Sequence, residues 1–438
     1  MIFNNLYNYK CIILITCIFC YYFLKTKKKK IYITGSDNKR KISEANFFIL
    51  DSNNLKNVQS HMYGFSVSKN GILTDNYYKQ LGEYKEPEPQ GVYIMIRNLG
   101  NDIIINQDIY GSFGIYIYEN NKTQYFALSN SFLLLEEYLI GKENMSFNKE
   151  FADNLIWNSL CSFSIQETLI KEIKQIPSNA FIELNINKKS LKIKYLDFKE
   201  NSIPLESKEG LKIFDKWADK WGYILRSLKK QTDNISIDLS GGFDTRLVLS
   251  ILINSGVNFN DIRINTALDK EHDHEIDFKI ASNISSKFGF KLNNLQIENN
   301  GTVLNVKDTI YNTIYTKLGF HKEFYLSNMF FDKPRFDFSG FGGEFLRGVP
   351  GVSIDKYIKR LSSCKIYHQN EFYNSSMRLF NRSISALKKS KPFYNDYEIS
   401  SHLYSLSVGK NHFGKAAVEN FLSNSYILQP LMDPEIKK

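Results

Sequence analysis

The chain has little cysteine, proline, glycine or histidine for its length. Its 438 residues include 5 cysteines, 9 prolines, 24 glycines and 7 histidines. A disulfide-rich scaffold, a collagen-like repeat and a proline- or glycine-rich disordered chain each need much more of these residues. Apolar residues are plentiful instead: 43% of the chain is hydrophobic and 14% aromatic, against 23% charged. This is the balance of a globular protein, and the length predicts two domains.

The cysteines give no disulfide framework. Cys11, Cys17 and Cys20 lie in one apolar run, while Cys161 and Cys364 are isolated. The Cys17-x-x-Cys20 pair has no second pair and no histidines at ligand spacing, which argues against a metal site there. Reducing surroundings therefore fit the cysteine usage.

Acidic residues are missing from the first 36 positions, where six lysines stand. These lysines supply most of the formal net charge of +10 and leave only +4 for the rest of the chain. A nucleic-acid surface needs Lys and Arg clustered on one folded face with interleaved aromatics, and no such stripe follows. We therefore expect no nucleic-acid partner.

The apolar run of residues 11–24 is followed directly by the lysine cluster of residues 25–30. The run is shorter than the roughly 20 residues that cross a bilayer. Lysines behind an apolar run are nevertheless typical of a stop-transfer signal that leaves the bulk of the chain in the cytoplasm. Residues 1–35 thus predict a membrane anchor, formed by residues 11–30, at the inner face of the cell membrane. The alternative is a start codon assigned too early.

Residues 47–200 predict a β-rich domain, because short segments with alternating apolar residues are separated by polar turns. The predicted strands are Val92 to Ile96, Ile103 to Asn106, Phe113 to Tyr118, Tyr125 to Leu128, Ala180 to Leu184 and Leu191 to Tyr195.

The period changes near residue 200. From Glu206 to Lys230, apolar residues that include Trp217 and Trp221 recur every three or four positions, which predicts a helix with both tryptophans in the core. Strands and helices then alternate through residues 205–438, which predicts an α/β fold with a parallel sheet and helices on both faces. The predicted elements are strands Ile235 to Leu239, Ile262 to Thr266, Leu295 to Ile297 and Phe336 to Phe338, and helices Arg246 to Asn254, Glu275 to Phe288 and Val306 to Lys317.

The loop from Ser240 to Thr245, SGGFDT, lies between the first of these strands and the first of these helices. Two glycines allow the backbone to approach a ligand closely, and the amide groups at a helix N-terminus favour an anion such as phosphate. The hydroxyls of Ser240 and Thr245 add donors. An aspartate beside phosphate is repulsive unless a cation lies between them, so Asp244 predicts Mg²⁺. An ordinary loop with capping Asp or Thr side chains is the alternative.

These residues resemble a known family. The segment SGGFDTR is similar to the pyrophosphate-binding SGGxDS loop of the asparagine synthetase superfamily, whose members use ATP to adenylate a carboxylate or similar acceptor before a nitrogen nucleophile attacks. Ser339 to Gly348 resembles the family's second metal and nucleotide loop. Asp277 to Gly289 resembles its acidic helix, and Gln429 to Glu435 resembles its P-F-L-D turn.

Upstream segments resemble the later strands of the family's N-terminal glutaminase domain: Gly111 to Tyr116, Phe126 to Asn130 and Ile173 to Leu184. The resemblance implies a degenerate, glutaminase-like α+β domain over residues 47–200 and an ATP-pyrophosphatase, adenine-nucleotide α-hydrolase-like domain over residues 205–438.

The chain departs from the family at several positions. Ile2 stands where the glutaminase has its nucleophilic cysteine, so glutamine hydrolysis is not expected. In the second loop, Glu344 keeps the first acidic position and Phe345 replaces the next. The sequence ends shortly after Asp433, where the family continues with a basic segment, which fits a truncated reading frame. Lys410 and Lys415 are candidates to replace that segment, and a solvated face is the alternative for both.

The resemblance implies an ATP-dependent, AMP- and pyrophosphate-forming amide ligase that uses Mg²⁺, a small-molecule carboxylate and ammonia or an amine. Ser240, Gly241, Gly242 and Thr245 would cradle the β- and γ-phosphates, and Asp244 and Glu344 would hold Mg²⁺ and serve as the catalytic acidic residues. Gly340, Gly342 and Gly343 would line the α-phosphate side.

Other interpretations remain open at this point. The alternative function is a non-catalytic, membrane-tethered nucleotide-binding scaffold, and a homo-oligomer fits either function. A second candidate metal cluster is His272-Asp273-His274 with Glu275, which needs a loop conformation because histidines two apart diverge on a helix.

Overall fold

The structure is a computed structural model that describes residues 47–69, 71–157, 164–196, 203–204, 206–266, 275–294, 301–303, 315–317, 329–343, 369–390 and 396–437. It is a mixed α/β protein with a β-rich N-terminal region and a parallel sheet further along the chain. At this level the predicted fold class is confirmed.

Two antiparallel sheets form the N-terminal region. The larger sheet has the order β10-β9-β5-β4-β2-β3, and the smaller has the order β1-β7-β6-β8. The strands are β1 Ile49–Asp51, β2 His61–Ser68, β3 Gly71–Thr74, β4 Gly91–Asn98, β5 Asp102–Gln107, β6 Tyr116–Asn120, β7 Tyr125–Ser129, β8 Ile173–Gln175, β9 Ala180–Asn185 and β10 Ser190–Tyr195. Helices α1 Asp75–Leu81, α2 Phe132–Leu139 and α3 Lys149–Trp157 flank them.

Strand β4 is buried on both faces because its residues alternate between two cores. Ile94 and Ile96 belong to the main core, whereas Tyr93 and Met95 pack with Tyr78 of α1 in a smaller cluster. Five of the six strands predicted here begin and end within two residues of observed ones. The sixth is correct only in part, since Phe113 to Ile115 form a loop before β6.

A five-stranded parallel sheet follows. Its order is β13-β12-β11-β16-β17, with every neighbouring pair parallel. The strands are β11 Ile235–Asp238, β12 Arg263–Thr266, β13 Leu292–Asn294, β16 Arg335–Phe338 and β17 Ser425–Leu428, and a separate hairpin is formed by β14 Gly301–Val303 and β15 Met329–Phe331. Helices α4 Lys208–Lys229, α5 Phe243–Ser255 and α6 Glu275–Phe288 flank the sheet.

The apolar face of this sheet packs on the helices that the sequence predicted. Ile235, Ile237 and Phe338 of the sheet share the main core with Trp221 of α4 and Val248 of α5. The predicted helices Glu206 to Lys230 and Glu275 to Phe288 are confirmed. The strand predicted at Leu295 to Ile297 lies outside the described residues, as does most of the helix predicted at Val306 to Lys317.

The chain closes with a group of helices. They are α7 Gln369–Ser390, α8 Asp396–Tyr404, a π-helix over Ser405–Gly414 and α9 Lys415–Leu422. A π-helix of ten residues is unusual, since this form appears mostly as a single widened turn. The main core includes residues from both antiparallel sheets, the parallel sheet and α9, so the two regions share buried apolar surface.

Candidate functional site

Two loops leave neighbouring parallel strands at their carboxyl ends. The first, residues 239–242, follows β11, and the second, residues 339–343, follows β16. In the sheet order, β12 and β13 lie on one side of β11, while β16 and β17 lie on the other. The order therefore reverses between β11 and β16, and open α/β sheets bind ligands in the crevice at such a point.

The first loop is held by its own hydroxyl groups. The backbone N–H of Ser240 donates to Thr245 Oγ1 at 3.0 Å, and the two hydroxyl oxygens lie 3.0 Å apart. The N–H of Gly242 donates to Ser240 Oγ at 3.1 Å. Helix α5 begins at the next residue, and among the described residues no side chain caps its Gly242 N-cap. Uncapped amide groups and the positive dipole end of a helix favour an anion.

The second loop lies directly on the first. A β-carbon added to Gly340 would lie 3.0 Å from the backbone nitrogen of Thr245. One added to Gly343 would lie only 2.1 Å from the carboxylate carbon of Asp244. A larger residue at either position would force its neighbour in the first loop to shift. The structure thus brings together all the predicted site residues that it describes.

The flanks of both loops are also closely packed. A β-carbon on Gly241 would lie 2.5 Å from Asp277 Oδ1, so this carboxylate of α6 abuts the first loop. Gly342 has a φ of +92°, and its added β-carbon would lie 2.2 Å from Met432 Cγ. Asp277 and Met432 both lie in segments that resemble the family. The spacing of residues in the sequence gives no indication of their contacts with the two glycines.

Asp244 lies in the first turn of α5. Glu344, the predicted second ligand, lies outside the described residues. Mg²⁺ usually takes one or two carboxylates and completes its coordination with phosphate oxygens and water. The Asp244 carboxylate, in the first turn of a helix, fits that donor chemistry. Among the described residues, no group of three or more His, Cys, Asp or Glu side chains could hold a metal ion.

A row of polar side chains lies at the carboxyl ends of three strands, below the first loop. Asp238, Asn265 and Asn293 are register partners across β11, β12 and β13. Asn265 donates to Asp238 at 3.4 Å, and Asn293 donates to Asn265 at 3.0 Å. Burial, and secondarily the charge of Asp337, raise the pKa of Asp238 to about 6. The sequence signal for this row was a polar residue near the end of each apolar strand.

Aromatic residues lie at the outer edge of both loops. Phe243 is 72% exposed, and the guanidinium of Arg246 lies 4.4 Å from its ring centroid. Arg246 Nε also donates to the carbonyl of Gly242 at 3.2 Å, which folds this side chain back over the first loop. Phe341 of the second loop packs against Phe413 of the π-helix, with their ring centroids 5.5 Å apart.

The turn of residues 429–433 is anchored by α4. Both predicted core tryptophans are buried, and each indole N–H also donates to this turn. Trp217 donates to the carbonyl of Pro430 at 2.8 Å, and Trp221 donates to Asp433 Oδ2 at 2.9 Å. Lys220 pairs with the same carboxylate at 2.9 Å. Since Met432 supports Gly342, the tryptophans position the second loop through the turn.

The solvated-face interpretation of Lys410 and Lys415 is wrong. Both side chains are buried, and their ammonium groups donate to the backbone carbonyls of Ile176 and Phe113 in the N-terminal region. Lys410 belongs to the π-helix, and Lys415 is the first residue of α9.

Several predictions fall on residues that the structure does not describe. They are Glu344, the five cysteines, the cluster His272-Asp273-His274, and the apolar run with its lysines in residues 1–35. In the part of the chain that is described, no helix is long and apolar enough to cross a membrane.

Comparison with known proteins finds no family model that matches this chain and no match among curated proteins.

Proposed function

We propose that this chain is an ATP-dependent, AMP- and pyrophosphate-forming amide ligase of the asparagine synthetase type. The observation that carries the proposal is the contact between the two glycine-rich loops. The loops are about a hundred residues apart in the sequence, and Gly343 is packed against the Asp244 carboxylate at the point where the sheet order reverses. A phosphate loop and an acidic residue at such a crevice support a nucleotide as ligand.

The residues have separate roles in this proposal. Ser240, Gly241, Gly242 and Thr245 bind the β- and γ-phosphates through hydroxyl groups and the amides that open α5. Gly340, Gly342 and Gly343 line the α-phosphate side. Asp244 is the metal ligand within the described residues, and Glu344 is proposed as its partner. Mg²⁺, when bound, would neutralise charge on the departing pyrophosphate.

Catalysis then depends on position and electrostatics. The loops hold the α-phosphorus of ATP in line with an acceptor carboxylate, whose oxygen attacks as pyrophosphate leaves. Ammonia or an amine next displaces AMP from the activated carboxyl. The proposed finer fold assignment is an adenine-nucleotide α-hydrolase-like region with a glutaminase-like N-terminal region.

The proposal is tested by pyrophosphate release. The purified full chain is incubated with ATP, Mg²⁺, ammonia and a panel of small carboxylates, and pyrophosphate and AMP are measured together. We expect equal amounts of both products with at least one acceptor, and a loss of at least about 100-fold in rate for Asp244→Asn, as for removal of one electrostatic contact to a transition state.

Two results would count against catalysis. No product with any acceptor would remove the ligase proposal. ATP binding that does not need Mg²⁺ and that Asp244→Asn leaves unchanged would favour the nucleotide-binding scaffold instead. A carboxylate panel with acetyl-capped peptides, aspartate and sugar acids separates the acceptor classes.

A further inference from the structure

Two buried lysines lie five positions apart where the π-helix passes into α9. Lys410 and Lys415 are 0% and 1% exposed, respectively. Lys410 belongs to the π-helix, and Lys415 is the first residue of α9. Gly414 permits the close approach of the π-helix to the N-terminal region, since an added β-carbon there would lie 2.9 Å from Ser112 Cα.

The contacts of these lysines leave most of their donors unused. Lys410 donates to the carbonyl of Ile176, and Lys415 donates to the carbonyl of Phe113. An ammonium group has three N–H donors. Neither lysine has a carboxylate within salt-bridge distance among the described residues, unlike the buried Lys317, which pairs with Glu419.

Asp108 is the carboxylate whose charge acts on both lysines, and its own hydrogen bonds are directed elsewhere. It accepts from Ser112 Oγ at 2.9 Å and from the backbone N–H groups of Tyr110 and Tyr93 at 3.0 and 3.2 Å. When all three groups are ionised, the cluster carries one uncompensated positive charge. An unpaired buried charge is costly.

Asn411 provides a second, independent observation. It follows Lys410 on the π-helix and is 0% exposed. Neither its amide nitrogen nor its amide oxygen has a hydrogen-bond partner within the described structure, and the nitrogen is a donor that an anion can accept from. Buried polar atoms without partners are rare in native proteins and indicate an absent water, ion or ligand.

We propose that Lys410, Lys415 and the amide of Asn411 form a buried binding site for a small monovalent anion, between the N-terminal region and the π-helix. A single negative charge neutralises the cluster, takes up free ammonium donors and gives the Asn411 amide an acceptor. The ligand is either a halide or a small carboxylate, which share this chemistry.

The pKa shifts of the two lysines agree with an anion site. Burial and the charge of Lys415 lower the pKa of Lys410 well below its ordinary value, and burial lowers the pKa of Lys415 to about 7. The cluster thus holds two protons poorly without a negative partner.

The site is tested on the full chain by thermal unfolding at constant ionic strength. Sodium gluconate is the bulky reference salt, and it is replaced stepwise by chloride, bromide, formate or acetate. We expect a saturable rise in Tm of about 2–4 °C with the anion that binds. Halides and carboxylates form separate arms, which identify the ligand class.

Two lysine variants and one control variant test which residues bind the anion. Lys415→Gln and Lys410→Gln each remove the charge but keep a hydrogen-bonding group, and we expect both to lose the anion-dependent rise. Lys317→Gln removes a buried lysine that has its own carboxylate, so it should lower Tm but retain the rise.

A measurement on the unmodified chain keeps the test independent of variant folding. Line broadening of the chloride NMR signal by the protein should decrease when bromide or formate is added as a competitor, and it should not decrease when the same concentration of gluconate is added. The proposal is overturned if no small anion raises Tm more than gluconate does and neither competitor reduces the chloride broadening more than gluconate does. It is also overturned if both lysine variants fold and keep the full rise.

Discussion

At the scale of single residues, three aspartates near the loops lie in different surroundings. Asp244 opens α5 and lies against Gly343, Asp277 abuts Gly241 from α6, and Asp238 lies below the first loop beside Asn265. Desolvation raises the pKa of Asp238 to about 6. Asp244, beside the helix terminus, is therefore the proposed metal ligand, while Asp238 makes folding depend on pH.

The Asp238→Asn variant should be more stable than the parent at neutral pH. Because the pKa of Asp238 is about 6 in the folded state and starts from 3.8, the folded protein binds more protons between these values. Its contribution to the free energy of unfolding therefore falls as pH rises from about 4 to 6, by an amount of order 2–3 kcal/mol.

Urea unfolding from pH 4 to 8 measures this difference. The variant should match the parent near pH 4 and gain on it up to about pH 7. Asp108, whose pKa burial also raises to about 6, acts equally in both proteins and cancels. A stability difference that does not change with pH would contradict the assignment to Asp238.

The Gly343→Ala variant should lose nucleotide binding and keep its fold. The added methyl group would collide with the Asp244 carboxylate, so this carboxylate must leave its position or the two loops must separate. We expect ATP affinity to fall at least about tenfold, a cost of about 1.4 kcal/mol. Gly222→Ala is the matched control, because its β-carbon would be 3.5 Å from the nearest atoms and a helix interior prefers alanine. Equal ATP affinity in both variants would exclude the contact as a feature of the site.

At the scale of elements, the 429–433 turn connects α4 to the second loop. The indoles of Trp217 and Trp221 hold the turn from one side, and Gly342 rests on Met432 from the other. Tyr110 and Gln90 of the N-terminal region donate to the carbonyls of Met432 and Gln429 at 2.8 and 3.0 Å. This turn therefore transmits packing changes to the loop.

Replacing Trp221 by Phe should weaken the turn without emptying the core. A smaller phenyl ring replaces the indole, and the buried hydrogen bond to the Asp433 carboxylate is lost together with some packing volume, which costs at least about 1–3 kcal/mol. Urea unfolding measures this cost, with Tyr223→Phe on the exposed side of the same helix as the control. A cost for Trp221→Phe no larger than that of the control would show that the hydrogen bond does not stabilise the turn.

Elements with strong local periodicity could be predicted from the sequence. Helix α6 and strand β9 are examples, since the apolar residues of α6 recur at helical spacing and those of β9 alternate as in a strand. Residues 113–115 were placed in a strand because they alternate, yet Gly114 has a φ of +76° and the loop serves as an acceptor for Lys415. Such long-range contacts override local pattern.

The candidate site was predictable in part for a similar reason. A glycine-rich loop between an apolar strand and a helix has a local signature, so Ser240 to Thr245 could be selected. The Asp238–Asn265–Asn293 row depends on strand order, which composition and spacing do not contain. Lys410 lies in a π-helix, whose period differs from the periods of an α-helix and a strand that sequence patterns reveal.

At the scale of the whole molecule, the two regions are joined by apolar and polar contacts. The main core continues from the antiparallel sheets into the parallel sheet, and Phe65 of β2 packs against Tyr426 of β17 at 5.0 Å between ring centroids. The buried lysine pair and the 429–433 turn add hydrogen bonds across the same boundary.

The parallel-sheet region should therefore not fold alone. A chain of residues 203–438 would expose the surface that Phe65, Phe113 and their neighbours cover, and it would leave Lys410 and Lys415 without their carbonyl partners. We expect no cooperative unfolding transition by circular dichroism, and recovery of one when residues 47–202 are co-expressed. A cooperative transition in residues 203–438 alone, at the urea concentration of the full chain, would contradict this dependence.

The central claim is that the two glycine-rich loops form one site for ATP with Mg²⁺. Calorimetric titration of ATP into the full chain, with and without Mg²⁺, tests it most directly when Asp244→Asn and Gly343→Ala are measured beside the parent. We expect the parent to bind one ATP per chain and to bind it most strongly with Mg²⁺. We expect both variants to bind ATP more weakly than the parent. No ATP binding by the parent, or Mg²⁺-dependent binding that both variants retain in full, would contradict it.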